Sequence, residues 1–215
     1  MYVSFILNKV KKFLMKMITF EALYTKGMKI IIIDNYDSFT YNIAHYVEQF
    51  ALFCKVVKID EVIIDDLENY DKIILSPGPG LPNERPIQNQ IIEQYYQSKP
   101  ILGICLGHQA LAEFFGAKLY NMKEVHHGLA RPTSITNKDY IWKNIPQKFN
   151  TGRYHSWAVS SNNFPNTLSI LATDTETETI MAFKHNSFNI RAIQFHPESI
   201  LTENGLEIIK NWVLH

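Results

Sequence analysis

The sequence predicts an α/β fold, with a central, mostly parallel sheet that is flanked by helices and extended by additional antiparallel strands. Short runs of β-branched and other apolar residues alternate with amphipathic segments between residues 28 and 115, which is the pattern of parallel strands joined by helices. These runs lack polar alternation, as is typical of strands buried on both faces. After residue 116 the strand candidates follow one another without intervening helical segments, which indicates antiparallel or mixed pairing.

The first half of the chain contains four predicted strands and three predicted helices. The first strand, at residues 28–34, has the sequence MKIIIID. A helix is predicted next, because Phe39, Ile43 and Val47 fall at helical spacing, and Asp37 or Ser38 can cap its start. The other strands of this half are predicted at residues 54–59, 72–76 and 100–105, and the other helices at residues 87–96 and 107–115.

The second half is predicted to add four strands and a closing helix. The strand candidates cover residues 153–160, 168–173, 179–185 and 189–195, and the helix covers residues 199–215. The chain has no internal repeat, low-complexity tract or linker-like segment. We therefore expect residues 28–215 to form one domain.

The composition excludes several classes of protein. Lys plus Arg and Asp plus Glu both number 21, so the chain has no general charge attraction to nucleic acid or anionic membranes. Two cysteines far apart in the sequence argue against a disulfide framework and favour a reducing, cytoplasmic location. No apolar run approaches the roughly 20 residues of a membrane span.

The first 27 residues differ from the rest of the chain. They carry five lysines and one acidic residue, and the lysines interrupt the apolar stretches, so no signal-peptide core is present. Two interpretations remain, a basic amphipathic helix at a membrane surface or a segment appended to the domain. We favour the second, with residues 1–27 as an N-terminal extension and a domain that begins at Met28.

Cys105 lies on a predicted turn between a strand and a helix. Gly103 precedes it by two residues and Gly107 follows it by two, and small residues on both sides are typical of a nucleophile elbow. The start of the following helix also favours a thiolate. The alternative is a buried thiol that fills space, which is our interpretation of Cys54. An inert core thiol needs no flanking glycines, so the pattern favours catalysis for Cys105.

His196 is the candidate base for this thiol. It follows a predicted strand, at the sheet edge where functional groups of α/β folds collect. Glu198 lies two residues on, and residues two apart in an extended segment face the same way, so its carboxylate can orient the imidazole. The neighbouring His126 and His127 have no Cys or carboxylate at ligand spacing, so we predict no metal site.

Acyl transfer also needs donors for an oxyanion. The backbone amide of Leu106, directly after the candidate nucleophile, is one. The turn of sequence SPGPG at residues 76–80 ends another predicted strand, and its glycines allow close approach of the backbone to a substrate. A plain structural turn is the alternative. The chain lacks a phosphate-binding loop of the Walker type.

The motifs GICLGHQ, SPGPG and FHPES, in this order, resemble those of class I (triad-type) glutamine amidotransferases. The segments IIDNYDSFTYN, SPGPGLPNE, RYHSW and QFHPESILTENG are similar to the subfamily formed by component II of anthranilate synthase and of aminodeoxychorismate synthase. The resemblance covers residues 28–215 and implies a flavodoxin-like fold. The rival interpretations are a different thiol hydrolase and a non-catalytic regulatory protein.

The resemblance also implies a reaction. Cys105 would attack the side-chain amide of glutamine to form a thioester, His196 would transfer protons, and Glu198 would orient His196. The ammonia would pass to a chorismate-binding component I subunit that makes anthranilate. The alternatives are the folate branch, in which the product is aminodeoxychorismate, and one subunit that serves both branches. No cofactor is implied for this subunit, and the partner surface is expected at Asn35, Tyr36, Asp37 and Ser38. The implied glutamine contacts are Gly78, Pro79, Gly80, Leu106, Gln109, Ser156 and Trp157.

Overall fold

A computed structural model describes residues 27–215, apart from the side chains of residues 124–126. The described chain contains nine strands in one sheet and four α-helices. The strands are β1 (Lys29–Asp34), β2 (Phe53–Lys58), β3 (Lys72–Leu75), β4 (Ile101–Ile104), β5 (Leu119–Ile135), β6 (Lys148–Val159), β7 (Leu168–Asp174), β8 (Ile180–His185) and β9 (Ile190–Ile193). The helices are α1 (Thr40–Glu48), α2 (Pro86–Tyr95), α3 (Leu106–Phe114) and α4 (Gly205–Leu214).

The strand order is β2-β1-β3-β4-β9-β8-β7-β5-β6. Strands β2, β1, β3, β4 and β9 are parallel to one another, and the remaining pairs are antiparallel. The predicted α/β class, with a parallel part extended by antiparallel strands, is therefore confirmed. Among the described residues, no helix is long and apolar enough to cross a membrane.

The sheet is covered on both faces, which explains the unbroken apolar runs of its parallel strands. In β1, the side chains of Ile30 and Ile32 lie in the core that includes residues of α1 and α4. Those of Ile31 and Ile33 lie in the opposite core, with residues of α2 and α3. Because both sides of the strand are buried, polar alternation is absent.

The parallel strands bring four loops to one edge of the sheet. Strands β1, β3, β4 and β9 end at Asp34, Leu75, Ile104 and Ile193, and their carboxyl ends share an edge because the strands are parallel. The segments that follow them contain the sequence motifs identified above. This edge is therefore where the candidate site forms.

Some predicted boundaries are wrong. The 17-residue strand β5 was not predicted, and it contains register shifts against β6 and a positive φ of 68° at Gly128, which break its alternation. The final helix begins at Gly205 instead of residue 199, because the preceding segment folds back, with Thr202 Oγ1 donating to the carbonyl of His196 at 2.5 Å. The predicted extension at residues 1–27 lies outside the described residues, apart from Gly27.

The start of α1 also differs from the prediction. Neither Asp37 nor Ser38 caps this helix, whose N-cap residue is Phe39 without a side-chain cap. Instead the carboxylate of Asp34, at the end of β1, accepts hydrogen bonds from the backbone amides of Tyr36 and Asp37 and from the hydroxyl of Thr40. The turn is thus stabilised from the strand side by Asp34, and the carboxylate of Asp37 also accepts from the backbone amide of Phe39 at 2.8 Å.

Candidate active site

Cys105 occupies a strained turn between β4 and α3. Its φ of 51° and ψ of −97° lie outside the regions that non-glycine residues favour, and such strain persists only where the surrounding structure enforces it. A Cβ at Gly103 would lie 2.4 Å from the carbonyl oxygen of Gly107, and a Cβ at Gly107 would lie 2.4 Å from that of Leu75. Both flanking glycines are therefore required by close backbone packing, as an elbow demands.

The His196–Glu198 pair lies over this turn. His196 Nδ1 and Glu198 Oε1 are 2.7 Å apart, and both side chains are buried. A carboxylate can only accept, so Nδ1 carries a proton and Nε2 is the nitrogen left for proton transfer. Cys105 and His196 line the same cavity, so the structure brings together the three residues that were predicted to be catalytic.

The electrostatics of the site favour a charged imidazole. Burial alone would lower the pKa of His196, but its interactions with Cys105 and Glu198 outweigh burial and raise this pKa well above its ordinary value. An imidazolium beside Cys105, together with the N-terminus of α3, stabilises negative charge on the sulfur. The arrangement therefore suits a thiolate–imidazolium pair.

A cavity of about 200 Å³ adjoins Cys105. Its lining contains every residue that was predicted to contact glutamine, namely Gly78, Pro79, Gly80, Leu106, Gln109, Ser156 and Trp157, and also Tyr154 and His155. At Gly78 a Cβ would lie 2.5 Å from that of Asn35, and Gly80 has a φ of 82°. The PGPG turn thus takes a form that side chains would block, and its backbone lies against the cavity.

The comparisons with known proteins agree with this geometry. Residues 31–215 match the protein-family model described as glutamine amidotransferase class-I. The chain belongs to the class-I glutamine amidotransferases.

Curated relatives of this amidotransferase carry a more specific name. Anthranilate synthase component 2 of Pyropia yezoensis is 41% identical over 187 residues, which cover 86% of this chain and 98% of the relative. The protein of the same name in Pseudomonas aeruginosa is 37% identical over 191 residues, covering 86% and 94%. A bifunctional protein TrpGD of Thermotoga maritima is 38% identical over 189 residues, which make up 32% of its length.

Solved structures agree on the fold. A Thermoplasma acidophilum protein assigned to GMP synthase has a TM-score of 0.78 and 26% identity, covering 86% of this chain and 92% of that one. A glutamine amidotransferase of Thermotoga maritima has a TM-score of 0.67 and 20% identity, covering 80% and 76%. The class-I amidotransferase fold predicted from the motifs is therefore confirmed.

A second cavity of this amidotransferase, of about 450 Å³, is lined by Cys105 and His196. Tyr36, Asp37 and Ser38, three of the predicted partner-contact residues, line it. The fourth, Asn35, is fully buried, and its side chain donates to the carbonyl of Ser76 and to the side chain of Gln88. Asn35 therefore holds the PGPG turn in place and offers no surface to a partner.

One described trio has the spacing of a metal site, since donor atoms of Asp37, His196 and Glu198 lie within 4.8 Å of one another. His196 Nδ1 is already hydrogen bonded to Glu198, and the raised pKa of this histidine favours the imidazolium, which binds no cation. Two members of the trio, His196 and Glu198, are thus paired with each other.

Among the site residues without a predicted role are Tyr154 and Gln194. The ring of Tyr154 packs on that of His196, with centroids 4.8 Å apart, and its hydroxyl lies 3.0 Å from Ser199 Oγ. The buried side chain of Gln194 lies 3.6 Å from Cys105 Sγ. Gln194 precedes His196 by two residues, so the period-two rule that led to Glu198 also leads to Gln194. Tyr154 lies in the RYHSW segment, but nothing in that segment indicates its contact with His196.

Proposed function

We propose that this chain is component II of anthranilate synthase, which hydrolyses glutamine and delivers the ammonia to a chorismate-binding component I. The observation that carries the proposal is the meeting of Cys105, His196 and Glu198 beside a cavity lined by all the predicted glutamine contacts. The names of the relatives at about 40% identity supply the branch of metabolism. The bifunctional TrpGD relative agrees with the tryptophan branch.

In the first half of the reaction, the thiolate of Cys105 attacks the side-chain amide carbon of glutamine. The backbone N–H groups of Leu106, Gly78 and Gly80 are the candidate donors to the oxyanion, whereas Pro79 has no N–H. The imidazolium of His196 gives its proton to the leaving nitrogen. The C–N bond breaks, ammonia leaves, and a γ-glutamyl thioester remains on Cys105.

In the second half, His196 takes a proton from water, and the resulting hydroxide attacks the thioester. Glutamate leaves, the C–S bond breaks, and the thiolate and imidazolium are restored. Water and glutamine are thus converted to glutamate and ammonia without a cofactor. Glu198 keeps the proton on His196 Nδ1 throughout.

The orientation of glutamine follows from Gln109. Its Nε2 donates to the carbonyl oxygen of Trp157 at 2.9 Å, so its Oε1 is the atom that remains to accept from the α-ammonium group of the substrate. This places the amino acid end of glutamine toward Trp157 and the side-chain amide toward Cys105. The backbone of Ser156 and Trp157 would then recognise the amino acid end.

The second cavity supplies a route for ammonia toward component I. It shares Gly78, Pro79, Cys105 and Tyr154 with the glutamine cavity, and its rim carries the exposed aromatic residues Tyr36 and Phe39. Exposed aromatics are enriched at protein interfaces. Docking of component I on this rim would close the route, so that ammonia is not lost to protonation in water. The complex is expected in the cytoplasm.

The proposal is tested by Cys105→Ser in the complex with component I. We expect glutamine-dependent formation of anthranilate to be lost, because the hydroxyl is a poor nucleophile at this site, while ammonia-dependent formation continues. Cys54→Ser is the matched control and should leave both activities intact, because Cys54 lies on the edge strand β2. Formation of aminodeoxychorismate instead of anthranilate, or loss of both activities in Cys105→Ser, would contradict the proposal.

The partner surface is tested by Phe39→Ala. Phe39 is 43% exposed and lines the second cavity, so we expect the dissociation constant for component I to rise by about tenfold. Phe53, which is 48% exposed and stacks on Tyr70 at the far edge of the sheet, provides the control Phe53→Ala. If a titration shows the same dissociation constant for component I in both variants, this surface is excluded as the contact with component I.

A further inference from the structure

The side-chain amide of Gln194 is buried between the nucleophile and a substrate contact. We infer that Gln194 is a further catalytic residue, which donates a hydrogen bond to the sulfur of Cys105 and stabilises its thiolate. The inference rests on the proposed function, in which that thiolate attacks glutamine. It adds a residue that the triad does not include.

The position of Gln194 is fixed by the sheet. The residue directly follows β9 and is fully buried. Its backbone amide donates to the carbonyl of Met181 in the neighbouring strand β8 at 2.8 Å. A buried side chain on a hydrogen-bonded strand end has little freedom, so the amide reaches Cys105 from a rigid support.

The orientation of this amide follows from its hydrogen-bond partners. The carbonyl oxygen of Trp157 can only accept, so the amide end of Gln109 that lies 2.9 Å from it is the NH₂ group. The same Nε2 lies 3.2 Å from the amide of Gln194 and can only donate, so Gln194 presents its oxygen there. The NH₂ group of Gln194 is thereby directed to Cys105 Sγ, at 3.6 Å.

This donor acts on the reacting atom. A hydrogen bond to an ionised group favours the ionised form, so the N–H of Gln194 favours the thiolate over the neutral thiol. The sulfur loses its negative charge in the thioester and regains it when water expels it. The donor therefore assists both formation of the nucleophile and departure of the sulfur, while Gln194 itself neither gains nor loses a proton.

The experiment measures the pH midpoint of Cys105 alkylation by iodoacetamide in the full chain, with the labelled peptides identified by mass spectrometry. In Gln194→Met, which keeps the length and loses the donor, we expect the midpoint to rise by about one pH unit, the equivalent of one hydrogen bond to a charged group. In Gln194→Glu, an acceptor-only carboxylate faces the sulfur, and we expect a larger rise. The turnover number for glutamine should fall about tenfold in Gln194→Met.

Two controls accompany these variants. Burial raises the pKa of the Cys54 thiol to about 12, so Cys54 provides an internal reference that stays a thiol over most of the range. The second control is Gln147→Met. The side-chain amide of Gln147 donates to the backbone of Ile135 away from both cavities, so this variant also loses one hydrogen bond made by a glutamine. In Gln147→Met, the pH midpoint of Cys105 alkylation should equal that of the unaltered chain. Thermal unfolding of each variant checks that the fold is retained.

The order of the midpoints decides between hydrogen bonding and packing. If Gln194 only fills space, Gln194→Met, which keeps the length of the side chain, should leave the midpoint of Cys105 unchanged even if the charge of Gln194→Glu raises it, and that result would overturn the inference. So would unchanged midpoints in both variants. The alkylation needs neither glutamine nor component I, so shifted midpoints without anthranilate formation would refute only the proposed function. Anthranilate formation with unshifted midpoints would refute only the role of Gln194.

Discussion

At the scale of single residues, the site depends on one histidine whose charge is set by its neighbours. Burial opposes the charge of His196, and the interactions with Cys105 and Glu198 restore it and raise its pKa well above the ordinary value. The contrast is His108, three residues after the nucleophile, where burial and the repulsion of His155 outweigh a hydrogen bond with Gln194 and lower the pKa to about 3. His108 packs on Phe183, and the pKa values of these two buried histidines are shifted in opposite directions.

Glu198→Gln tests this electrostatic arrangement. The neutral amide should lower the pKa of His196, so the imidazolium that protonates the leaving nitrogen is lost at a lower pH. We expect the high-pH limb of the turnover number for glutamine to move to lower pH, and the maximal rate to fall by about a hundredfold, the scale of acid–base catalysis. Ammonia-dependent synthesis by the complex should be unchanged. A pH profile identical to that of the unaltered chain would exclude this role for Glu198.

The grouping of Cys105, His196 and Glu198 could be predicted because these residues follow local rules. The glycines around Cys105 indicate an elbow, and the spacing of His196 and Glu198 places both on one side of an extended segment. The predicted glutamine contacts came from the resemblance to a family and meet in one cavity. Tyr154 could not be predicted, since it reaches His196 only through the pairing of β5 and β6 and their position in the sheet.

At the scale of elements, the buried side chain of Lys72 connects strand β3 to the carboxyl end of helix α4. Lys72, at the start of β3, donates to the carbonyl oxygens of Trp212 and Val213 at 2.8 and 3.0 Å. These carbonyls lie in the last turn of α4, where they lack partners within the helix.

The parallel strands were predictable as short apolar runs, although Lys72 is buried at the start of one. Strand β5 was not, because bulges interrupt its pattern.

Lys72 gives the fold a characteristic dependence on pH. Burial lowers its pKa from 10.5 to about 8, so between about pH 8 and 10.5 the unfolded chain binds more protons at this residue than the folded chain. The free energy of unfolding should therefore rise with pH in that window, by on the order of 3 kcal/mol from this group. Urea unfolding at both ends of the window should show that Lys72→Met removes most of this rise. Equal pH dependence of the two proteins would contradict the account.

At the scale of the whole molecule, the parallel part of the sheet supplies the chemistry and the antiparallel part completes the cavities. The loops after β1, β3, β4 and β9 carry the residues predicted to contact a partner, the PGPG turn, Cys105 and His196. Strand β6 adds Tyr154, Ser156 and Trp157. Both cavities are lined by Cys105, and we propose that the first receives glutamine and the second faces component I. This division of labour is the central claim of the account.

The most direct test of that claim is the detection of the covalent intermediate. The chain is mixed with glutamine, quenched in acid during turnover, digested and examined by mass spectrometry. We predict a γ-glutamyl thioester on the peptide that contains Cys105 and none on the peptide that contains Cys54, with ammonia released in proportion to the glutamate formed. Continued release of ammonia by a Cys105→Ala variant, with no adduct on Cys105 in the unaltered chain, would contradict the account.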